Sequence, residues 1–278
     1  MRIIDCHTHI FPPDIIAERD RYRKYDRWFN QLYATPQARM ADVDDLLRSM
    51  DQGGVEKAIT FGFAFADLAL CQDCNAYVLD AAAEHKERLI PFVQVPPRVG
   101  RKAIMEARRC LERGARGIGE LLSDGQGFDL RDFDLLTPLM RLAKTFEVPV
   151  LFHVAEPVGH IYAGKGKQGP REAFALAKRF PDNVIILAHW GGGLPFYEMM
   201  PEVRDALRNV YYDTAASPYL YEADIFRHVT RWIPSKILFG TDYPLIGPRR
   251  FLRYMERAGL DPVAKRKVLR ENAINLLT

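Results

Sequence analysis

Short apolar runs separated by helical patterns recur along the whole chain, and this alternation restricts the fold more than any other feature. The first run is Arg2-Ile3-Ile4-Asp5-Cys6-His7-Thr8-His9, and further runs occupy 57–63, 89–95, 116–121, 148–153, 184–189, 210–213 and 236–239. Amphipathic stretches fall between them at 75–85, 102–112, 136–146 and 171–179, and another at 41–52 stops at Gly53-Gly54. Apolar strands that alternate with helices form a parallel sheet covered on its outer faces. Eight such units within 278 residues predict a single-domain α/β protein, a (β/α)8 TIM barrel spanning 1–278. A doubly wound open sheet is the runner-up. It is weakened because no Gly-rich dinucleotide fingerprint or phosphate loop follows the first run.

Composition removes several function classes. The net charge is +3 and the basic residues are scattered. No cationic run is long enough to condense on phosphates, so no nucleic-acid partner is expected, and only 19–28 mixes basic and aromatic residues. No apolar run reaches the roughly 18 residues that span a bilayer, so no membrane association is expected. The N-terminus enters a strand without a basic and apolar leader, which predicts a cytoplasmic protein. Cys6, Cys71, Cys74 and Cys110 are too few for a disulfide framework. Cys71 and Cys74 have zinc-ligand spacing but no second pair, and they open a helical stretch, so they are expected to be ordinary buried thiols.

The stretch 11–40 is rich in aromatic and charged residues, with Tyr22, Tyr25, Trp28, Phe29 and Tyr33. It reads as a helical insertion that packs on the barrel end, either as a cap over the active site or as an interface in a homodimer.

Active sites of this fold lie where the strands end. His7 and His9, two residues apart on an extended strand, share one face. Glu120 ends the fourth run, His153 the fifth and His189 the sixth, and Asp242 follows the eighth. A lone histidine at a strand end is usually a hydrogen-bonded structural residue. For that to hold independently at every one of these positions is improbable, and convergence on a metal explains them together. All six are metal-competent and converge on one mouth, where Asp242 beside an ion can accept a water's proton and His189 can hold a developing oxyanion, so these two are expected to be catalytic. His160, in a glycine-rich loop at 156–170, together with Trp190, Tyr243 and Arg249, is expected to contact a small-molecule substrate.

The segments Ile4-Asp5-Cys6-His7-Thr8-His9, Leu151-Phe152-His153, Leu187-Ala188-His189-Trp190-Gly191-Gly192-Gly193 and Phe239-Gly240-Thr241-Asp242-Tyr243-Pro244 carry a resemblance. In that order, with the tail Asn272-Ala273-Ile274-Asn275-Leu276-Leu277, the chain resembles the amidohydrolase superfamily, in the branch that includes aminocarboxymuconate-semialdehyde decarboxylase. The resemblance implies a divalent metal held by His7, His9, His153 and Asp242, with His189 helping to activate a bound water. Some members hold two metals bridged by a strand-four acid, here Glu120, whereas the decarboxylase branch holds one. Zinc is the expected ion, one per chain, with two if Glu120 bridges. The expected activity is hydrolysis of an ester, lactone or amide of a small substrate, since such a centre lowers the pKa of its water towards ~7. Decarboxylation of an unsaturated or aromatic acid is the alternative, and a non-catalytic metal-binding barrel a third reading.

Overall fold

The computed structural model describes residues 2–278. Eight parallel strands follow one another around a barrel in chain order: β1 (Ile3–His9), β2 (Val55–Phe61), β3 (Leu89–Val93), β4 (Gly117–Leu121), β5 (Val150–Phe152), β6 (Ile185–Leu187), β7 (Val210–Asp213) and β8 (Ile237–Leu238). The ring is completed by the backbone just beyond β8. Cys6 N–H donates to Phe239 O at 2.7 Å and His9 N–H to Tyr243 O at 2.7 Å. Each of the eight apolar runs overlaps one strand: β2 begins two residues before its run, at Val55, β7 matches its run, and the other strands are shorter than theirs.

After β1 come three short helices, α1 (Pro13–Ala17), α2 (Arg19–Tyr22) and α3 (Arg27–Tyr33). The outer layer includes α4 (Val43–Gly53), α5 (Leu68–Glu84), α6 (Arg101–Glu112), α8 (Phe133–Thr145), α9 (Pro170–Arg179), α10 (Pro201–Ala206), α12 (Asp224–Val229) and α13 (Pro248–Glu256), while two short helices at the barrel mouth, α7 (Ser123–Gln126) and α11 (Ser217–Leu220), follow β4 and β7. The start of α4 is fixed chemically. Asp42 accepts from Asp45 N–H while the Asp45 carboxylate takes the Asp42 N–H, a reciprocal cap. Gly54 ends it in the left-handed conformation that glycine adopts without strain.

The core has three parts. Ile4, Cys6, Ile59, Phe61, Phe92, Leu151, Ile186 and Leu238 fill the barrel interior. A larger cluster lies between strands and helices, with Val55, Val93, Ile118, Val150 and Phe239 against Leu139, Leu176 and Phe251. The third joins Phe11 and Phe29 to Phe63 and Phe65, and it anchors the 11–40 insertion on the barrel end. Cys71 and Cys74 lie buried on α5 as free thiols, as the sequence suggests. Among the described residues, no helix is long and apolar enough to cross a membrane.

Between α5 and α6 a buried carboxylate makes a pH-sensitive contact. Glu106, 3% exposed, accepts from Arg109 at 2.8 and 2.7 Å, from Asn75 at 3.2 Å and from Gln72 at 3.3 Å. Burial pushes its carboxyl up, but the hydrogen bonds from Arg109, Cys110, Asn75 and Gln72 outweigh it and hold the pKa at about 2 against an ordinary 4.5. The folded state thus binds its proton at lower pH than the unfolded state. The stabilisation is full above pH about 4.5 and disappears as pH falls towards 2. Glu106→Gln is expected to cost about 1–2 kcal/mol at pH 7, allowing for the half-exposed Arg109, and much less near pH 2. Urea denaturation at both pH values checks this.

Candidate metal centre

The pairing of β1 with β2 is irregular between Asp5 and Thr8. Such breaks re-aim side chains, and the rings of His7, within it, and His9, just beyond it, meet at one point. His7 Nε2 lies 3.2 Å from His9 Nε2. The partners of the opposite ring nitrogens fix what these atoms are. His9 Nδ1 lies 2.8 Å from Gly62 O, which can only accept, so Nδ1 carries the hydrogen. His7 Nδ1 lies 2.8 Å from the Asp213 carboxylate and donates likewise. Two Nε2 lone pairs would then face each other, which requires a proton or a metal cation between them.

Asp242 completes this group, with Oδ1 3.7 Å from His7 Nε2 and 3.5 Å from His9 Nε2. Its backbone is left-handed (φ 64), rare for a residue other than glycine. Two contacts hold it there: its N–H donates to His7 O at 3.0 Å, and its carbonyl accepts from Leu245 N–H at 2.8 Å. Strain of this kind, imposed by the surrounding structure, belongs at functional sites.

Glu120, His153 and His189 form a second group beside the first. Glu120 Oε1 lies 2.9 Å from His153 Nδ1 and 3.5 Å from His189 Nε2. The other oxygen, Oε2, faces His7 Nε2 at 3.6 Å and His9 Nε2 at 3.9 Å. One carboxylate therefore addresses both groups. His189 is also left-handed (φ 55); its Nδ1 donates to Ala215 O at 3.2 Å, leaving Nε2 for the mouth. The chain can turn so sharply after β6 because Gly192, at φ +62, lies where a Cβ would sit 2.4 Å from Ala155 O.

The site attracts cations. Burial disfavours charge on His7, but Asp213, Glu120 and Asp242 outweigh it and raise its pKa to about 10. The same opposition, with Glu120 and Asp242 prevailing over burial, brings His189 to about 9. Burial pushes Asp242 up, yet the neighbouring imidazoles of His9, His7 and His189 bring it down to about 2. Glu120 is held well below the usual carboxylate range, burial being overcome chiefly by His7 and His153. A pocket that would protonate its histidines to balance its carboxylates offers a divalent cation the same balance with neutral imidazoles.

Three residues of this region were not singled out by the sequence reading. Asp213, at the end of β7 and fully buried, takes His7 Nδ1–H on Oδ2 and the N–H groups of His189 and Ala215 on Oδ1, each at 3.0 Å. Asp5 accepts from the Thr241 hydroxyl at 2.6 Å and from the Thr241 and His7 N–H groups, which ties β1 to the segment carrying Asp242. Burial pushes its carboxyl up to about 7. Gln94, just past β3, donates from Nε2 to Glu120 O at 3.0 Å. An acid ending an apolar run is the signal that marks Glu120, and Asp213 carries it too.

Above the two groups opens a cavity of about 410 Å³. His9, Glu120, His153, His189 and Asp242 form its floor, and Trp28, Leu32, Tyr33, Phe63 and Leu122 much of its wall. His160 lines the cavity and is exposed at its rim. Three expected contacts are corrected. Trp190 is fully buried, because the left-handed turn after β6 swings its indole into the helix layer, where Nε1 donates to Ser217 Oγ at 2.7 Å. Tyr243 packs half-buried against the outer core and does not line the cavity. Arg249 lies on α13, exposed in a neighbouring groove.

An eight-stranded barrel with imidazoles and carboxylates converging at its C-terminal mouth defines a metal-dependent TIM-barrel enzyme. The Amidohydrolase family model matches residues 4–278, and the chain belongs to the amidohydrolase family. Solved structures of the same fold include 2,6-dihydroxybenzoate decarboxylase from Rhizobium, at 20% identity and TM-score 0.73, over 100% of this chain and 98% of that one. Another is 5-carboxyvanillate decarboxylase from Novosphingobium aromaticivorans, complexed with manganese and 4-hydroxy-3-methoxy-5-nitrobenzoic acid. It is 18% identical with TM-score 0.77, over 99% of this chain and 96% of that one. A third is an uncharacterised TIM-barrel protein from Bordetella bronchiseptica, at 19% identity and TM-score 0.71, over 100% and 98%. No curated protein matches the chain in a sequence comparison.

Proposed function

We propose that the chain is a metal-dependent carboxy-lyase that releases carbon dioxide from a small hydroxylated aromatic carboxylate. The observation that carries this reading is the cavity: apolar and aromatic walls stand over a floor of imidazoles and carboxylates, which suits a flat ring presenting its polar edge to the floor. The ring-carboxylate substrates of two solved neighbours support it. The insertion at 11–40 is then a cap, because Trp28, Leu32 and Tyr33 are part of the wall.

The opposed Nε2 atoms of His7 and His9 and the adjacent Asp242 fit a divalent ion, and Glu120, whose Oε2 faces both imidazoles while Oε1 meets His153, would bring a further oxygen and that imidazole to its side. Such an ion, when bound, supplies Lewis-acid polarisation of the substrate's carboxylate and hydroxyl. Mixed nitrogen and oxygen donors suit manganese as well as zinc, and the manganese in the Novosphingobium complex makes it the ion to try first. Asp242 carries the proton. As a carboxylate it takes the proton of the ionising ring hydroxyl, and as the conjugate acid it delivers that proton to the ring carbon bearing the carboxylate. The C–H bond forms, the C–C bond breaks, carbon dioxide leaves with no change of oxidation state overall, and solvent reprotonates the phenolate. His189 Nε2 orients the carboxylate, and the apolar wall excludes water. Carbon dioxide release from 2,6-dihydroxybenzoate, 5-carboxyvanillate and related hydroxybenzoates by manganese-loaded protein is the test. Turnover of esters or lactones with none of these acids overturns the reading.

One observation favours the second reading, hydrolysis. Glu120 presents one oxygen to each ligand group, as a bridge between two ions would. At saturating metal the single-ion reading expects about one equivalent per chain in the parent and in Glu120→Gln, the variant holding it more weakly, while the bridged reading expects about two, falling to about one. Elemental analysis of both proteins distinguishes them.

A further inference from the structure

Beside the catalytic cavity lies a second groove of about 400 Å³, and the two share Ala38, Arg39, Tyr219 and Leu245 in their walls. Four arginines line it: Arg39 from the insertion, and Arg249, Arg250 and Arg253 from α13. All four are exposed, and none pairs with a carboxylate among the described residues. Most acidic groups of the adjoining segments are committed elsewhere, Asp45 to Arg48, Asp51 to Arg88, Glu222 to Arg257 and Glu256 to Lys265, and Asp44 on α4 pairs with none of the four arginines. The first turn of α13 carries no acid to offset Arg249 and Arg250. Arg250 lies over the ring of Tyr219, 5.7 Å from its centroid, so one wall shared with the cavity also positions a guanidinium.

Four unpaired guanidinium groups around one groove hold like charges together at an electrostatic cost, which an anion removes. Guanidinium forks match phosphoryl oxygens two by two. A single carboxylate would leave most of this charge unbalanced. We propose that the groove binds the phosphoryl end of an organic phosphate whose other end enters the catalytic cavity. The substrate would then be a ring acid bearing a phosphorylated extension, recognised at Arg39, Arg249, Arg250 and Arg253. This inference takes the cavity as the substrate site, but it does not depend on which bond is cleaved there.

Calorimetric titration of the manganese-loaded protein with adenosine 3′,5′-bisphosphate tests it, with glutarate at matched ionic strength as the carboxylate arm. Saturable binding of the bisphosphate is expected, at least about tenfold weaker in Arg249→Ala/Arg253→Ala and partly restored in Arg249→Lys/Arg253→Lys. Glutarate should bind much more weakly to all three proteins. Unaltered metal content and melting temperature in the variants show that they fold. Equal bisphosphate binding by the alanine variant, no saturable binding by the parent, or equal preference for glutarate overturns the proposal. Because the titration requires no turnover, a protein inactive on hydroxybenzoates can still bind the bisphosphate. The two readings therefore fail separately.

Discussion

Asp242→Asn is expected to lower turnover by about 10²–10⁴-fold, the usual contribution of a positioned proton carrier. The substitution keeps the shape and one neutral oxygen, so it separates proton transfer from packing. His9 and His7 lie within 3.5 and 3.7 Å of Oδ1 and hold this carboxyl at about 2 in spite of its burial. It therefore starts as a base, which the proposed relay requires. Metal content should fall only in part, since His7, His9, Glu120 and His153 remain. Single-turnover kinetics on metal-replete variant protein make the measurement. Near-normal turnover with metal bound would assign the proton to another group, with His189 and Glu120 the nearest.

Asp213→Ala should weaken metal binding by about 10–100-fold although Asp213 is not among the proposed ligands. It acts through His7. With Asp213 in place, Nδ1–H is occupied at 2.8 Å and the ring is fixed with Nε2 towards the mouth. Without it the imidazole loses both its tautomer and its orientation. The substitution also strips partners from the N–H groups of His189 and Ala215, both buried. Breaking a buried charged contact of this kind costs about 3–5 kcal/mol. Metal titration followed by manganese electron paramagnetic resonance reads the first effect, and urea denaturation of metal-free protein the second. Asp213→Asn, which keeps an acceptor for part of this network, should lose less stability than alanine. Unchanged metal affinity in the alanine variant would show that His7 needs no support from β7.

Much of the barrel was written in local pattern. Strand-length apolar runs and amphipathic stretches of the right length each report their own burial, and in a parallel sheet covered by helices that report suffices to order the elements. The residues of the candidate site were legible for a related reason. The barrel brings strand ends together whatever their separation in the chain, so a polar residue that closes an apolar run is already placed at the mouth. His7, His9, Glu120, His153, His189 and Asp242 all follow that logic.

Side-chain direction after the strand ends had no such regularity, and there only the tertiary structure decided. Trp190 and His189 are neighbours in sequence, yet a left-handed turn sends the indole into the helix layer and keeps the imidazole at the mouth. Tyr243 and Asp242 part in the same way. Arg249 follows its strand end as closely as other residues that line the cavity, but it belongs to a separate groove because α13 begins one residue before it. Asp213 gains its role from contacts with His7 and His189, 206 and 24 residues away. Local sequence determines which residues reach the barrel mouth, since burial is repeated residue by residue along each element. The backbone torsions of the connecting turns determine which way each side chain then faces, and those torsions are held by contacts from distant parts of the chain.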